Sequence, residues 1–342
     1  MKRYCLYLSF FLLGLFSACS SDSNDEPELI IDPVETATFA KGADVSWVTE
    51  MEKKGVKFYN AKGEETECMR LMCDLGMNTI RLRVWVNPAD GWCNKADVLA
   101  KAERAHKLGM RLMIDFHYSD TWADPEKQMK PVAWNTLSFS KLKTAVADHT
   151  KDILNALKGK GIAPEWVQVG NETGNGMLWP DGQADKSMAN YAALNNAGYD
   201  AVKSVFPEAK VIVHLQNGQD NGLYRWLFDG LKANGGKWDL IGMSLYPKKN
   251  NWQSMVNDCI ANIQDVTKRY GTDVIICETG MPWDEAAVAK AFLTALFTRT
   301  QALGNVHGIL YWEPEAYNKW NGYTLGAFDA SGKPTEALDA FR

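Results

Sequence analysis

The sequence predicts an α/β chain folded as a single (β/α)8 TIM barrel. Short β-rich runs recur at intervals of roughly thirty to fifty residues, each followed by a helical pattern, and a series of this kind closes into a parallel barrel rather than an open sheet. Composition shows no second break between residues 38 and 342, so one catalytic-sized domain accounts for them. Within the runs, apolar and polar residues alternate as they do in strands that face helices on one side and a barrel interior on the other.

In chain order the predicted strands are Phe39–Val45, Thr79–Val86, Arg111–Tyr118, Trp166–Gly170, Lys210–Leu215, Leu240–Tyr246, Asp273–Cys277 and Gly308–Trp312. Intervening stretches such as Lys95–Leu108 and Phe139–Lys158 carry apolar residues spaced three and four apart, which suits an outer ring of helices. The second strand shows its parity clearly. Ile80, Leu82, Val84 and Val86 form one face, and Arg81, Arg83, Trp85 and Asn87 form the other. Two arginines inside a barrel require carboxylate partners, and Asp44 and Asp115 are candidates. The same parity turns His117, Gln168, Glu172, His214, Gln216, Ser244 and Tyr246 inward. Polar inward residues therefore gather toward the C-terminal strand ends, where catalysis resides in this fold.

Two glutamates stand out there. Glu172 in Val-Gly-Asn-Glu-Thr follows the fourth strand, and Glu278 in Ile-Ile-Cys-Glu-Thr-Gly follows the seventh. Three βα units separate them, so barrel curvature brings them opposite one another. Glycoside hydrolysis needs such a pair, one acid to protonate the leaving oxygen and one carboxylate to attack or to activate water. A structural ion pair with Arg81 or Arg83 is the alternative use for either glutamate.

Four ordered motifs narrow the reading: Lys41-Gly42-Ala43-Asp44-Val45-Ser46, Arg81-Leu82-Arg83-Val84-Trp85-Val86-Asn87-Pro88, the run from Asp115 to Pro125, and Gly170-Asn171-Glu172. Together they resemble the endo-β-1,4-galactanase family, retaining (β/α)8 glycoside hydrolases that degrade arabinogalactan. The resemblance runs from about Phe39 to the C-terminus. It implies Glu172 as acid/base, Glu278 as nucleophile, Asn171 as partner of the sugar 2-hydroxyl, and Arg83 as the cation keeping Glu278 ionised. Tyr246 becomes a hydrogen-bond donor to the nucleophile and Trp312 the floor for the sugar at the cleavage point, because a galactose ring presents an apolar face that stacks on indole. Trp122, Trp283 and Trp320 are candidates for further subsites, with Trp85 and Asp44 also on the substrate side. His117 and His214 are read either as sugar contacts or as satisfied core histidines.

The implied substrate is β-1,4-galactan or arabinogalactan. Rival readings are a related β-glycanase acting on mannan or xylan, and a non-catalytic glycan-binding surface lipoprotein. No cofactor is expected. Some bacterial relatives of the family hold calcium in the loops after the last strands, but Glu313–Leu325 offers no dense run of oxygen ligands, so no metal is assigned.

At the N-terminus, Lys2 and Arg3 precede an apolar run from Tyr4 to Phe16 and then Ser17-Ala18-Cys19. Residues 1–18 read as a lipoprotein signal peptide, with Cys19 the acylated first residue of the mature chain. Residues 19–37 read as an acidic flexible tether. The expected location is the outer membrane or cell surface of a Gram-negative bacterium, with the protein a monomer held at the membrane through Cys19. A formal net charge of −5 without a basic cluster argues against a nucleic-acid partner. Beyond Cys5 and Cys19, the thiols are Cys68, Cys73, Cys93, Cys259 and Cys277, without the spacing of a zinc site.

Overall fold

A computed structural model describes residues 38–342, so the signal peptide, Cys19 and the tether lie outside the described residues. Eight parallel strands close on themselves: β1 (Ala40–Asp44), β2 (Thr79–Val84), β3 (Arg111–Phe116), β4 (Trp166–Val169), β5 (Lys210–Leu215), β6 (Leu240–Leu245), β7 (Val274–Thr279) and β8 (Val306–Trp312). Closure is direct, since β1 pairs with β2 through Asp44↔Arg81 and with β8 through Asp44↔Trp312. The predicted strand cores are all present, and boundaries move by one or two residues at one end or the other. Helices α1 (Lys95–Lys107) and α2 (Phe139–Gly159) fill the two stretches singled out above, opened by Asn94 and Ser138 side chains that accept from backbone N–H groups of the first turn. Sequence periodicity did not show the two-strand hairpin of Gly176–Met177 with Gly182–Gln183 in the loop after β4, because two-residue strands carry no period.

Strand parity sorts the core into an outer and an inner layer. Ile80, Leu82 and Val84 pack with the helices, as do Leu112, Ile114 and Phe116. Inside, Ala40, Met113, Trp166, Ile212, Leu240, Ile275, Cys277 and Leu310 form a separate apolar cluster. These residues sit early in most strands, so they plug the N-terminal end of the barrel. Polar inward residues lie one layer higher, above a floor that excludes water.

One irregularity sets the chemistry. Between Met243↔Ile276 and Ser244↔Glu278, β7 advances two residues against one on β6, and it gains the same extra residue against β8. This bulge lets Cys277 stay in the interior plug while the next residue, Glu278, also points into the barrel. Without the bulge, strict alternation would send Glu278 toward the helices.

Candidate active site

Arg81 organises the barrel interior. It is fully buried, and its guanidinium reaches Asp44 Oδ2 at 2.7 Å, Asp115 Oδ2 at 2.9 Å and Glu278 Oε1 at 2.8 Å. Nε donates to Gln168 Oε1 at 2.6 Å, and Nη2 donates to Asn171 Oδ1 at 3.0 Å. A planar fork with five donors can serve this many acceptors where an ammonium could not. The expected pairing of Arg83 with Glu278 is therefore corrected: Arg81 makes it.

Arg83 instead bonds Glu313, and its cation lies 4.4 Å from the Trp122 ring, 5.1 Å from Trp47 and 5.4 Å from Trp85. Its Nε and Nη2 have no hydrogen-bond partner within the protein, and the indole faces take the place of one. Both arginines point inward, as parity requires. Register separates them, because Arg83 lies one strand layer closer to the mouth, beside the residue that follows β8. Arg83 is 1% exposed and forms part of the wall of the tryptophan groove, where it supports the indoles it lies against. Glu315, next to Glu313, is buried, and burial together with the Glu313 charge holds its carboxyl well above the usual range.

Glu278 accepts from the Tyr246 hydroxyl at 2.8 Å in addition to Arg81. Burial pushes its carboxyl up, while Arg81 and Tyr246 pull it down. Glu172 follows β4 after Gly170, whose φ of 89° and absence of a side chain permit the turn: a Cβ there would lie 2.5 Å from Thr173 Cγ2. Glu172 itself has φ 47°, an unusual backbone for a glutamate, which lifts its side chain into the mouth. Its carboxyl is pushed up to about 8, first by burial and then by the Glu278 charge, against a hydrogen bond from Ser244 and the Arg81 charge. Of the two, Glu278 has the cation and the phenol, so it ionises first and Glu172 retains the proton.

A cleft of about 260 Å³ opens above them, lined by His117, Trp122, Ala123, Asp124, Asn171, Glu172, Tyr246, Glu278, Trp312, Tyr323 and Leu325. A neighbouring groove of about 630 Å³ shares Trp122, Trp312 and Tyr323 and continues past Trp47, Trp85 and Trp92. Trp122 meets Trp47, Trp85 and Trp312 edge-on at 5.7, 5.1 and 5.8 Å between ring centres. Asn171 is fixed from both ends, Oδ1 on Arg81 and Nδ2 on the Ala123 carbonyl at 2.9 Å, which leaves one amide N–H. His117 lines the cleft, with Nε2 3.0 Å from Asp115 and Nδ1 accepting from Ala123 N–H at 3.1 Å.

Other candidates fall elsewhere. Asp44 is enclosed, bonded to Arg81 and to the Ser46 hydroxyl at 2.5 Å, which is the arginine-partner use and not a sugar contact. His214 is fully buried, with both ring nitrogens engaged by protein groups, and burial keeps it neutral. Trp283 is 38% exposed and Trp320 lies beneath Lys54 Nζ, and neither lines the two cavities described above. Sequence reasoning missed Tyr323, which closes the cleft and donates to the Trp312 carbonyl at 3.0 Å, and Gln128, which donates to the Asn171 carbonyl at 2.8 Å. It missed Glu313 too, although a glutamate directly after a strand was the signal that found Glu172 and Glu278.

The chain is similar to known proteins along most of its length. Arabinogalactan endo-β-1,4-galactanase of Cellvibrio japonicus is 34% identical, covering 90% of this chain and 90% of the relative. The enzyme of the same name from Thermothelomyces thermophilus is 30% identical over 88% of this chain and 98% of its own. A fungal β-1,4-galactanase structure superposes with a TM-score of 0.81 at 30% identity, covering 88% of this chain and 98% of that one. The model of glycosyl hydrolase family 53 matches residues 40–341, and this chain belongs to that family.

Proposed function

We infer that this chain hydrolyses β-1,4-galactosidic bonds within galactan or type I arabinogalactan, with retention at the anomeric carbon. The observation that carries the reading is the opposed pair of carboxyl groups at one barrel mouth: Glu172 inclined to hold its proton, Glu278 backed by Arg81 and Tyr246. Family membership and relatives named as galactanases give the substrate class.

In the first step Glu278 attacks the anomeric carbon, and the departing oxygen takes the proton of Glu172. Glu172, now a carboxylate, next removes a proton from water, whose oxygen displaces Glu278 from the sugar. The raised value of Glu172 suits a group that must be an acid first and a base second, since the like charge opposite disappears once Glu278 is esterified. Asn171 is assigned the sugar 2-hydroxyl, supported by its free amide N–H beside Glu172. Trp312 and Trp122 are assigned the apolar faces of the sugars, supported by their place in the cleft lining.

The test is release of new reducing ends from a panel of polysaccharides. Unbranched β-1,4-galactan should be cut internally, with little action on cellulose, mannan or β-1,3-galactan. The axial O4 of galactose bends the polymer, and a groove shaped for it disfavours straight chains. Comparable rates on galactan and mannan would overturn the substrate assignment.

We further propose that the mature chain is a lipoprotein acylated at Cys19 and held by residues 19–37 at the outer membrane or cell surface, on the strength of the Lys2–Cys19 pattern. Labelled palmitate incorporated by the wild type and lost in Cys19→Ala supports it. Equal solubility and absence of label in both forms would overturn it.

A further inference from the structure

The barrel mouth divides into two halves. Trp312 after β8, Trp47 after β1, Trp92 after β2 and Trp122 after β3 line the tryptophan groove, and no residue from the loops after β4 to β7 joins them. Glu172 stands after β4 and Trp283 after β7, both in the half without the groove. Backbone contacts fix Trp283 at the rim of the cleft. Its N–H donates to the Thr324 carbonyl at 3.0 Å, and Thr324 lies between Tyr323 and Leu325, two residues of the cleft lining. Leu325 lines the cleft but not the groove, so the turn Trp283–Glu285 adjoins the cleft on the side away from the groove. Gly280, three residues earlier, passes behind the same wall, where a Cβ would lie 3.1 Å from the Tyr323 hydroxyl and 3.3 Å from Tyr246 Cε1. Glu285 ties the turn to the loop after β6 through Lys249 Nζ at 2.9 Å. The Trp283 side chain is 38% exposed, and among the described residues it meets no other ring or cation and its indole N–H has no protein acceptor.

We propose that Trp283 is a platform for the leaving part of the galactan chain, the units that depart with the proton of Glu172. Trp312 is common to cleft and groove and carries the sugar attacked by Glu278, so the units preceding that sugar run into the tryptophan groove. The departing units run the other way, over the loops after β4 to β7. There the Trp283 indole offers a planar apolar face, held by a tethered turn and left without a partner, which suits the apolar face of a galactose ring. Its free N–H is placed to donate to a sugar hydroxyl. The other large apolar side chains exposed among the described residues do not serve this role. Met129 and Val132, in the loop after β3, have no planar face, and Trp226 lies on the outer helix Asn221–Ala233. Trp179, in the loop after β4, is half-buried with its indole N–H on the Asn175 carbonyl at 2.9 Å.

The proposal rests on the reading of the cleft as a galactanase site, and the experiment separates the two. Wild type, Trp283→Ala and Trp283→Tyr are assayed on β-1,4-galactan, on a nitrophenyl β-1,4-galactotrioside and on galactohexaose labelled at its reducing end. Thermal unfolding of each variant accompanies them. Trp283→Ala should lose about tenfold in kcat/KM on galactan, the scale of one aromatic contact, because binding of the leaving units is used in reaching the transition state. The nitrophenyl galactotrioside, whose sugars all lie on the groove side, should be cut at the wild-type rate. Labelled galactohexaose should be cut closer to its label by Trp283→Ala, since units on the leaving side no longer gain from the indole. Trp283→Tyr should restore the wild-type cleavage positions. Unchanged cleavage positions in Trp283→Ala, or an equal loss on galactan and on the nitrophenyl substrate, overturns the platform and leaves the galactanase reading standing. A wild type that cuts neither galactan nor the labelled hexaose overturns the galactanase reading, and the platform with it.

Discussion

Arg81 and Glu278 meet inside the barrel, with Nη2 2.8 Å from Oε1, while Arg83, two residues further on, turns to Glu313 and three indole rings. The two arginines should therefore fail differently. Arg81→Met leaves Asp44, Asp115 and Glu278 buried without their cation, a loss on the order of 3–5 kcal/mol of stability for a broken buried pair. Its kcat on galactan should drop at least about 10²-fold, the usual scale for removing one catalytic-site donor. Arg83→Met loosens the tryptophan cluster and should raise KM more than it lowers kcat. Calorimetry and steady-state kinetics on both variants check this, and an equal collapse of kcat would place Arg83 on the nucleophile after all.

The proton on Glu172 sets the alkaline side of the rate profile. Its carboxyl is pushed up to about 8 by burial and by the Glu278 charge, so kcat/KM on galactan should hold through neutral pH and decline above about 8. Below that, activity is limited by ionisation of Glu278, which Arg81 and Tyr246 favour against its burial. A galactanase rate that stays flat to pH 10 would show that another group carries the proton.

Much of this was legible in the sequence, and the limits have physical causes. Strand parity put Arg81, Arg83, Asp115, His117 and His214 inside because period two is a property of the chain alone. Which acid each arginine meets depends on register between strands distant in sequence, and Arg83 meets a residue more than two hundred positions away. Parity would also have misplaced Glu278: Ile275 and Cys277 point inward, so only the bulge on β7 allows Glu278 to do the same. Its position at a strand end before a glycine revealed it, not alternation. Glu172 escaped that difficulty because Gly170 and its own positive φ reset the direction of the chain after β4. Of the tryptophans, Trp122 and Trp312 reach the cleft, whereas Trp283 and Trp320 depend on loops whose course local sequence does not specify.

A carboxyl whose value rises on folding opposes stability at neutral pH. The unfolded chain releases the Glu172 proton near the ordinary 4.5 and the folded chain near 8, so the stabilisation from this group is complete below 4.5 and is lost as pH rises toward 8. Glu172→Gln removes the titration, and should melt higher than wild type at pH 7.5 by an amount on the order of 1–3 kcal/mol. The advantage should shrink toward zero below pH 4.5. Thermal unfolding across that range measures it, and an advantage independent of pH would assign the gain to packing.

The two glutamates should also fail in chemically distinct ways, because a retaining mechanism gives them different steps. Glu172→Ala should lose about 10²–10⁴-fold on galactan, the scale of general acid–base assistance. An aryl β-galactoside with a good leaving group needs no protonation to depart, so its first step should survive and the glycosyl-enzyme on Glu278 should accumulate. Azide, a nucleophile that needs no base, should then intercept that intermediate from the face opposite Glu278 and yield a β-galactosyl azide. In Glu278→Gly no ester can form. Azide occupying the vacated space should attack an activated β-donor directly, with Glu172 still available as acid, and yield the α-anomer. One inversion or two decides the product, and nuclear magnetic resonance of the anomeric proton reads it. Products of the opposite anomer, or near-wild-type galactan turnover in both variants, would reverse or remove the roles assigned to Glu172 and Glu278.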